Sequence, residues 1–389
     1  MTIDTILYEI NGGQSGIALM GEGRLKELEF ANGNRAAEGN VYLGKVARKL
    51  DLAHQKVGFF VDIDDSREAF LNADEYGLKD LNISEGQSIV VQVSQEQRAE
   101  KGAKVVRAVQ LVGEHIVYCP YRLTVEASSR IEDKQTLEEY KEKVLENTTG
   151  QEGWILRTSS VEVPFEVIAR EMENLRNTYD SLRVKARNAK APALLYAREN
   201  PLFEHIKRHG ESLRKIILNS RNVESELKEK FGDKYAVEIV SEPFDKYGVE
   251  DAISEALQKT VKLPSGGRVI IEETKACVAV DVDSGDDKGH GSISHLNEEA
   301  AYEIARQIRL RNLSGKILID FAGSSEYKFL KPVIEILEQE LAKDSNKSRV
   351  MGLSKAGMVE ILRVRRRPTL SDLMTEECEA CQGTGRVAR

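Results

Sequence analysis

The sequence predicts a multidomain α/β protein with a small β-barrel set into it. Three observations predict this. The chain has 389 residues, more than one hydrophobic core usually organises. A strand–helix–strand pattern runs from Cys277 to Phe321. Five short strand patterns crowd between Gly39 and Val112. The composition, 41% hydrophobic and 31% charged, is that of a soluble globular chain. A net charge of -8 argues against a generally basic coat and leaves room for local basic patches. The N-terminus does not read as a signal peptide, and no apolar run reaches membrane-spanning length. Four cysteines make no disulfide framework, so a cytoplasmic location is expected.

Strands are expected at Thr5–Ile10, Ser15–Met20 and Arg24–Phe30, with Asn11-Gly12-Gly13 and Gly21-Glu22-Gly23 as turns. Three strands are too few for a domain and must pack on a later segment. The barrel strands are expected at Asn40–Leu50, Val57–Ile63, Glu68–Leu71, Ser88–Val93 and Val105–Val112. Five strands in this length fit an OB fold. Phe59, Val61 and Ile63 would face the core, and Phe60, joined by Phe70, would face outward. Lys45, Arg48, Lys49, Lys101, Lys104 and Arg107 are interleaved with them. Outward aromatics among basic residues suit base stacking along a phosphate backbone. The alternative is a plain barrel with a solvated surface.

Irregular β structure is expected over 113–163, with a short helix near Lys134–Leu145. After Pro164, the stripe Phe165, Ile168, Met172, Leu175, Tyr179 and Leu182 predicts a long amphipathic helix used for packing. Strand Lys215–Leu218, helix Val223–Phe231, strand Ala236–Val240 and helix Val249–Thr260 follow. This α/β run can take the first three strands onto its sheet. Strand Arg268–Glu272 precedes the central motif.

In that motif Val278, Val280 and Val282 alternate with Cys277, Ala279, Asp281 and Asp283. A loop with Gly285, Gly289 and Gly291 leads to a helix from about Asn297, stopped by Gly315. The second strand is Lys316–Phe321. The connection favours a parallel pair, which puts Asp281 and Asp320 at neighbouring carboxyl ends. Carboxylates held close repel, and a divalent cation such as Mg²⁺ relieves the repulsion. The alternative is that these acids only cap strands beside a turn. Beyond it, Pro332 should start a helix over Val333–Ala342, followed by strand Arg349–Leu353 and helix Met358–Arg367. Arg363, Arg365, Arg366 and Arg367 would then either complement the helix dipole or contact phosphates. In the tail, Cys378 and Cys381 form half of a zinc site. A second copy of the chain would complete it at a twofold axis. An unmetallated or redox pair is the alternative.

These pieces together resemble the ribonuclease E/G family of bacterial endoribonucleases. The resemblance runs through Gly39-Asn-Val-Tyr-Leu-Gly-Lys45, Phe60-Val-Asp62, Glu85-Gly-Gln87, Leu263-Pro-Ser-Gly-Gly267, Ala279-Val-Asp281-Val, Ile304-Ala-Arg-Gln-Ile-Arg-Leu-Arg311, Ile319-Asp320-Phe321 and the cysteine tail. It implies a ribonuclease-H-like subdomain in two parts, 1–36 and 196–262, with an S1-type OB-fold domain at 37–112. It further implies a 5′-sensor region at 113–195, a DNase-I-like catalytic subdomain at 263–375 and a zinc link at 376–389. By resemblance the catalytic aspartates are Asp281 and Asp320, with Asp283 as their polar partner. Mg²⁺ falls to Asp281 and Asp320, and a zinc shared in a homodimer to Cys378 and Cys381. RNA contacts fall on Phe60, Phe70, Lys101 and Lys45, and 5′-monophosphate sensing on Arg157, Thr158 and Lys355. The implied reaction is Mg²⁺-dependent hydrolysis of single-stranded RNA to 5′-phosphate and 3′-hydroxyl ends, in RNA processing and decay. A catalytically weak RNA-binding or maturation factor of the same fold is the rival. The chain departs from the family at Gly323, where members place Asp, at Lys355, where they place Arg, and in Cys378-Glu-Ala-Cys381, where they have Cys-Pro-x-Cys.

Overall fold

The computed structural model describes residues 2–32, 36–52, 56–72, 83–97, 101–285, 293–323, 326–376, 378–381 and 385. Gly289 and Gly291 of the loop after Asp283, and residues 382–384 of the cysteine tail, lie outside the described residues. The chain divides into two compact units, Met1–Gly33 with Glu199–Arg389, and Asn34–Arg198.

The first unit opens with β1 (Thr5–Asn11), β2 (Gln14–Gly21) and β3 (Arg24–Asn32), an antiparallel meander. Both turns have two residues, Gly12-Gly13 and Glu22-Gly23, and all four have positive φ. That conformation matches the twist of the flanking strands.

In the second unit β4 (Val41–Leu52), β5 (Lys56–Asp62), β6 (Ala69–Asn72), β7 (Ser88–Gln95) and β8 (Lys104–Val106) pair in the order β4-β5-β6-β8-β7. A further pairing of β7 with β4 closes a five-stranded barrel. Phe59, Val61 and Ile63 fill its core, as their alternation predicts. The fifth strand is shorter than expected. It breaks after Val106, and β9 (Leu111–Val112) joins another sheet with β10 (Ile116–Cys119), β11 (Val125–Ala127) and β12 (Gly153–Leu156). Between β11 and β12 lies α1 (Lys134–Glu146), and after β12 comes α2 (Phe165–Asn188). Ile168, Met172 and Leu182 of α2 are buried with Trp154, so the stripe is packing. Then β13 (Ala193–Tyr196) pairs with β4.

Back in the first unit come α3 (Pro201–His209), β14 (Lys215–Leu218), α4 (Arg221–Phe231), β15 (Ala236–Ile239), α5 (Pro243–Lys246) and α6 (Val249–Ala256). The opening strands do join this segment, in a sheet ordered β15-β14-β1-β2-β3.

A second sheet of that unit is built from β16 (Thr260–Lys262), β17 (Arg268–Glu273), β18 (Val278–Asp283), β19 (Gly315–Asp320), β20 (Ser348–Leu353) and β21 (Val359–Arg363). Its order is β16-β17-β18-β19-β21-β20, and only β18 and β19 run parallel. Their crossover helix is α7 (Ile293–Leu310), and α8 (Tyr327–Ala342) follows β19. Val278, Val280, Val282, Ile317 and Ile319 pack with apolar side chains of α7 and α8. A short α9 (Leu370–Met374) ends the ordered elements.

Three local expectations are corrected here. Met358–Arg367 is not a helix. Val359, Ile361 and Arg363 are buried and alternate with outward residues, which is a strand period that the arginine run obscures. Pro332 lies inside α8 rather than at its start. Gly315 does not stop α7. Asn312 does, at φ 50°, with its N–H donating to the Arg309 carbonyl at 3.2 Å and Leu313 N–H to the Ile308 carbonyl at 2.9 Å. That pair of bonds is a Schellman cap.

Candidate functional site

Asp281 and Asp320 are direct partners in the β18–β19 register. Adjacent strands lie about 4.8 Å apart, so the two carboxylates share one spot. Alternation puts Val280 and Ile319 in the core and both acids on the opposite, open face. Both acids are exposed, and neither forms an ion pair or accepts a hydrogen bond among the described residues. Partial burial, then the like charges of Asp320 and Asp283, push the Asp281 carboxyl above the ordinary aspartate range.

Asp283 differs. Its Oδ1 accepts from Gly285 N–H at 2.9 Å, and its Oδ2 accepts from Arg268 Nη2 at 2.6 Å and Nε at 3.0 Å. The Gly285 N–H and then Arg268 hold it below the ordinary range. Register explains the pair, because Arg268 lies directly opposite Asp283. The three acids therefore divide into a like-charged pair with no direct ion-pair partner among the described residues and a neighbour bonded to Arg268.

The open pair fits a hard divalent cation. Among the described residues no group of three or more His, Cys, Asp or Glu side chains could cage a metal. Magnesium needs no such cage, since one or two carboxylates plus substrate phosphates commonly hold it.

Asn297 fixes the loop beside the pair. Its amide donates to the Ala322 carbonyl at 2.9 Å and accepts from Ala322 N–H at 3.2 Å. Asn297, the expected helix start, lies inside α7 instead. Gly323 follows at φ +87°, where an added Cβ would lie 3.0 Å from Ile293 Cγ2. An Asp here would be strained and crowded in this loop conformation.

On the barrel, Phe60 and Phe70 are direct cross-strand partners with ring centroids 5.6 Å apart. The Arg48 guanidinium sits 4.1 Å above Phe60 and pairs with Glu68 at 3.5 Å. Arg48 is thus the cation in contact with the aromatic pair. Lys101 and Lys45 are exposed. Lys45 lines an open groove of about 490 Å³ with Asp62, Asp65, Ser66, Arg67 and Glu68.

Arg157 and Thr158 leave β12 into a 3-10 turn. The Arg157 guanidinium donates to the Gly113 carbonyl, and its N–H donates to the His115 carbonyl at 2.9 Å. Thr158 Oγ1 bonds Ser128 Oγ at 3.3 Å, and His115 Nδ1 bonds Ser159 Oγ at 3.1 Å. Sequence patterns gave no sign of His115, Ser128 or Ser159. Lys355 belongs to the other unit, in the β20–β21 turn.

Cys378 is exposed and Cys381 half-buried. Backbone N–H groups of Cys381 and Ala380, then the Cys381 side chain, lower the Cys378 thiol. A cysteine that favours its thiolate is the donor chemistry zinc requires. No helix among the described residues is long and apolar enough to cross a membrane.

A sequence model described as the Ribonuclease E/G family matches residues 110–366. Ribonuclease G of Haemophilus influenzae is 33% identical over 98% of this chain and 84% of its own length. Ribonuclease G of Escherichia coli is 31% identical over 98% of this chain and 84% of its own. Ribonuclease E of Escherichia coli is 29% identical over 95% of this chain and 38% of its own. With a family match over residues 110–366 and relatives spanning nearly its full length, this chain belongs to the ribonuclease E/G family.

Proposed function

We propose that this protein is an endoribonuclease that hydrolyses single-stranded RNA and leaves 5′-phosphate and 3′-hydroxyl ends. The observation that carries this is the in-register, like-charged pair Asp281 and Asp320 on an open sheet face. Relatives named Ribonuclease G and Ribonuclease E support the substrate class. Asp281 and Asp320 would hold Mg²⁺, which when bound supplies positive charge to the phosphate and lowers the pKa of water. In the reaction a water oxygen bonds to phosphorus, the bond to O3′ breaks, and O3′ gains a proton. Asp283, tied to Arg268, keeps that arginine beside the carboxylate pair. Loop 321–323, pinned by Asn297, holds the end of β19 in register.

Phe60 and Phe70 would stack unpaired bases, with Arg48, Lys45 and Lys101 on the backbone. Arg157 and Thr158 would contact a 5′-monophosphate, and the family resemblance gives Lys355 the same role. Cys378 and Cys381 would share a zinc with the same pair of a second copy, making a cytoplasmic homodimer in RNA processing and decay. Changing Cys378 and Cys381 to Ser should release zinc and halve the mass in solution. An unchanged mass removes the shared zinc.

The deciding experiment uses a short single-stranded RNA with either a 5′-monophosphate or a 5′-hydroxyl. Wild type and Asp281→Asn are compared with Mg²⁺ and with chelator. Cleavage that needs both Mg²⁺ and Asp281 supports the reading, and a 2′,3′-cyclic phosphate product overturns the end chemistry. Binding without cleavage in every lane selects the RNA-binding rival. Gly323 and the neutralised Asp283 are what favour that rival.

A further inference from the structure

Beyond the two carboxylates, the open face of their sheet carries a second feature. Lys316 lies directly opposite Leu362, and Leu362 directly opposite Arg349. Side chains directly opposed across strands point to the same side. Lys316 is four residues from Asp320 on β19, so it shares that residue's face. The row therefore stands about 13 Å from Asp320 along the strand and spans about 10 Å across two strand gaps.

All three residues are exposed, Leu362 by 49%, and Met351 beside them by 52% at a register shift in β20. Neither Lys316 nor Arg349 forms an ion pair or hydrogen bond among the described residues. Leu318 and Glu360, directly opposed and half-buried, stand between the row and the carboxylates. Two uncompensated cations flanking an apolar patch complement a single nucleic-acid strand. Phosphates meet the cations, and base faces meet the apolar side chains. The patch is continuous with the carboxylate pair, on one face of one sheet, so a strand crossing it is led to that pair.

We infer that Lys316, Leu362 and Arg349 form a distal subsite that holds the single-stranded RNA running to the Asp281–Asp320 pair. This rests on the ribonuclease reading above. Glu360 opposes it, as the carboxylate between the subsite and the pair.

The test measures binding of a long single-stranded oligoribonucleotide by the full chain in chelator, over a range of salt. The Lys316→Ala/Arg349→Ala variant should bind more weakly. Its slope of log affinity against log salt should flatten by about 1.4, at about 0.7 for each lost phosphate contact. Glu360→Gln should bind more tightly than wild type. The variants alter exposed or half-buried side chains, and an unchanged melting temperature verifies the fold. An unchanged slope in the folded double variant overturns the subsite. Loss of dimer mass with RNA affinity intact also overturns it, by assigning the face to a second copy. Failure of the ribonuclease reading shows separately, as RNA left intact by wild type with Mg²⁺, because the binding slopes need no cleavage.

Discussion

Asp344 is fully buried, and its carboxylate accepts from Arg363 Nε at 2.7 Å and Nη2 at 3.2 Å. The same guanidinium donates to Asn312 Oδ1 at 2.7 Å and to the Leu313 carbonyl at 2.9 Å. Asp281, in the same unit, is exposed and accepts nothing among the described residues. In the first region carboxylate and guanidinium neutralise each other, and the guanidinium's further bonds tie β21 to the end of α7. In the second, two like charges are held side by side without an ion pair of their own among the described residues, and the nearby Arg268 offsets them only in part. The second arrangement costs the fold repulsion, which a bound divalent cation would relieve. That difference separates an ionic group built into the packing from a candidate for chemistry.

The comparison breaks most visibly at the buried pair. Asp344→Ala leaves Arg363 buried and unpaired, and should cost about 3–5 kcal/mol of stability. Urea unfolding measures this, and a loss below about 1 kcal/mol would mean the arginine finds water or another partner. Asp281→Asn and Asp320→Asn should do the reverse. Activity should fall by roughly 10²–10³ or more, as when a charge-stabilising group is removed from a catalytic site. The fold should be retained by circular dichroism. A variant that unfolds would place the open pair with the structural one.

Of these two regions, the sequence announced only one. The valine alternation, the spacing of the crossover helix and the acids at both strand ends are local patterns, and they survive in the structure. The buried pair was hidden because Arg363 was read among arginines at a helix end. Its partner Asp344 lies in a loop with no period to reveal it. Asn297 was missed for a related reason. Its role depends on Ala322, 25 residues away, and only the parallel pairing brings them together. Lys316, Leu362 and Arg349 become a row only after β21 inserts between β19 and β20. Side chains that act through local pattern were legible, and those that act through strand order were not.

A smaller effect is expected at the barrel. Phe60→Ala removes one ring of the Phe60–Phe70 pair and the surface under Arg48. Loss of one stacked base is worth about 1–3 kcal/mol in RNA affinity. Fluorescence anisotropy in chelator should show that loss, and a cleavage assay with Mg²⁺ at saturating RNA should show kcat little changed. Unchanged affinity would leave Phe60 a packing residue and return the barrel to the plain-surface alternative.

The smallest effect sharpens the comparison most. Asp281 has a raised carboxyl pKa, and the like charges of Asp320 and Asp283 contribute to it beside burial. A carboxyl whose folded pKa is above its unfolded value binds protons better in the folded state. It therefore favours folding at low pH, and that contribution is lost as pH rises through the folded pKa. Asp320→Asn removes one like charge, so the Asp281 pKa should fall back toward the ordinary range, and the melting temperature at neutral pH should rise slightly. Carboxyl-carbon NMR titration of Asp281 in the variant reads the first, and a thermal scan the second. Asp283 gives the internal control. Gly285 N–H and Arg268 hold its pKa below the ordinary range, so its contribution to stability is present above the unfolded pKa and is lost as pH falls through the folded one. If Asp320→Asn leaves the Asp281 titration where it was, burial and Asp283 raise it without Asp320. The pair is then not electrostatically coupled, and the case for a cation between the two carboxylates falls with it.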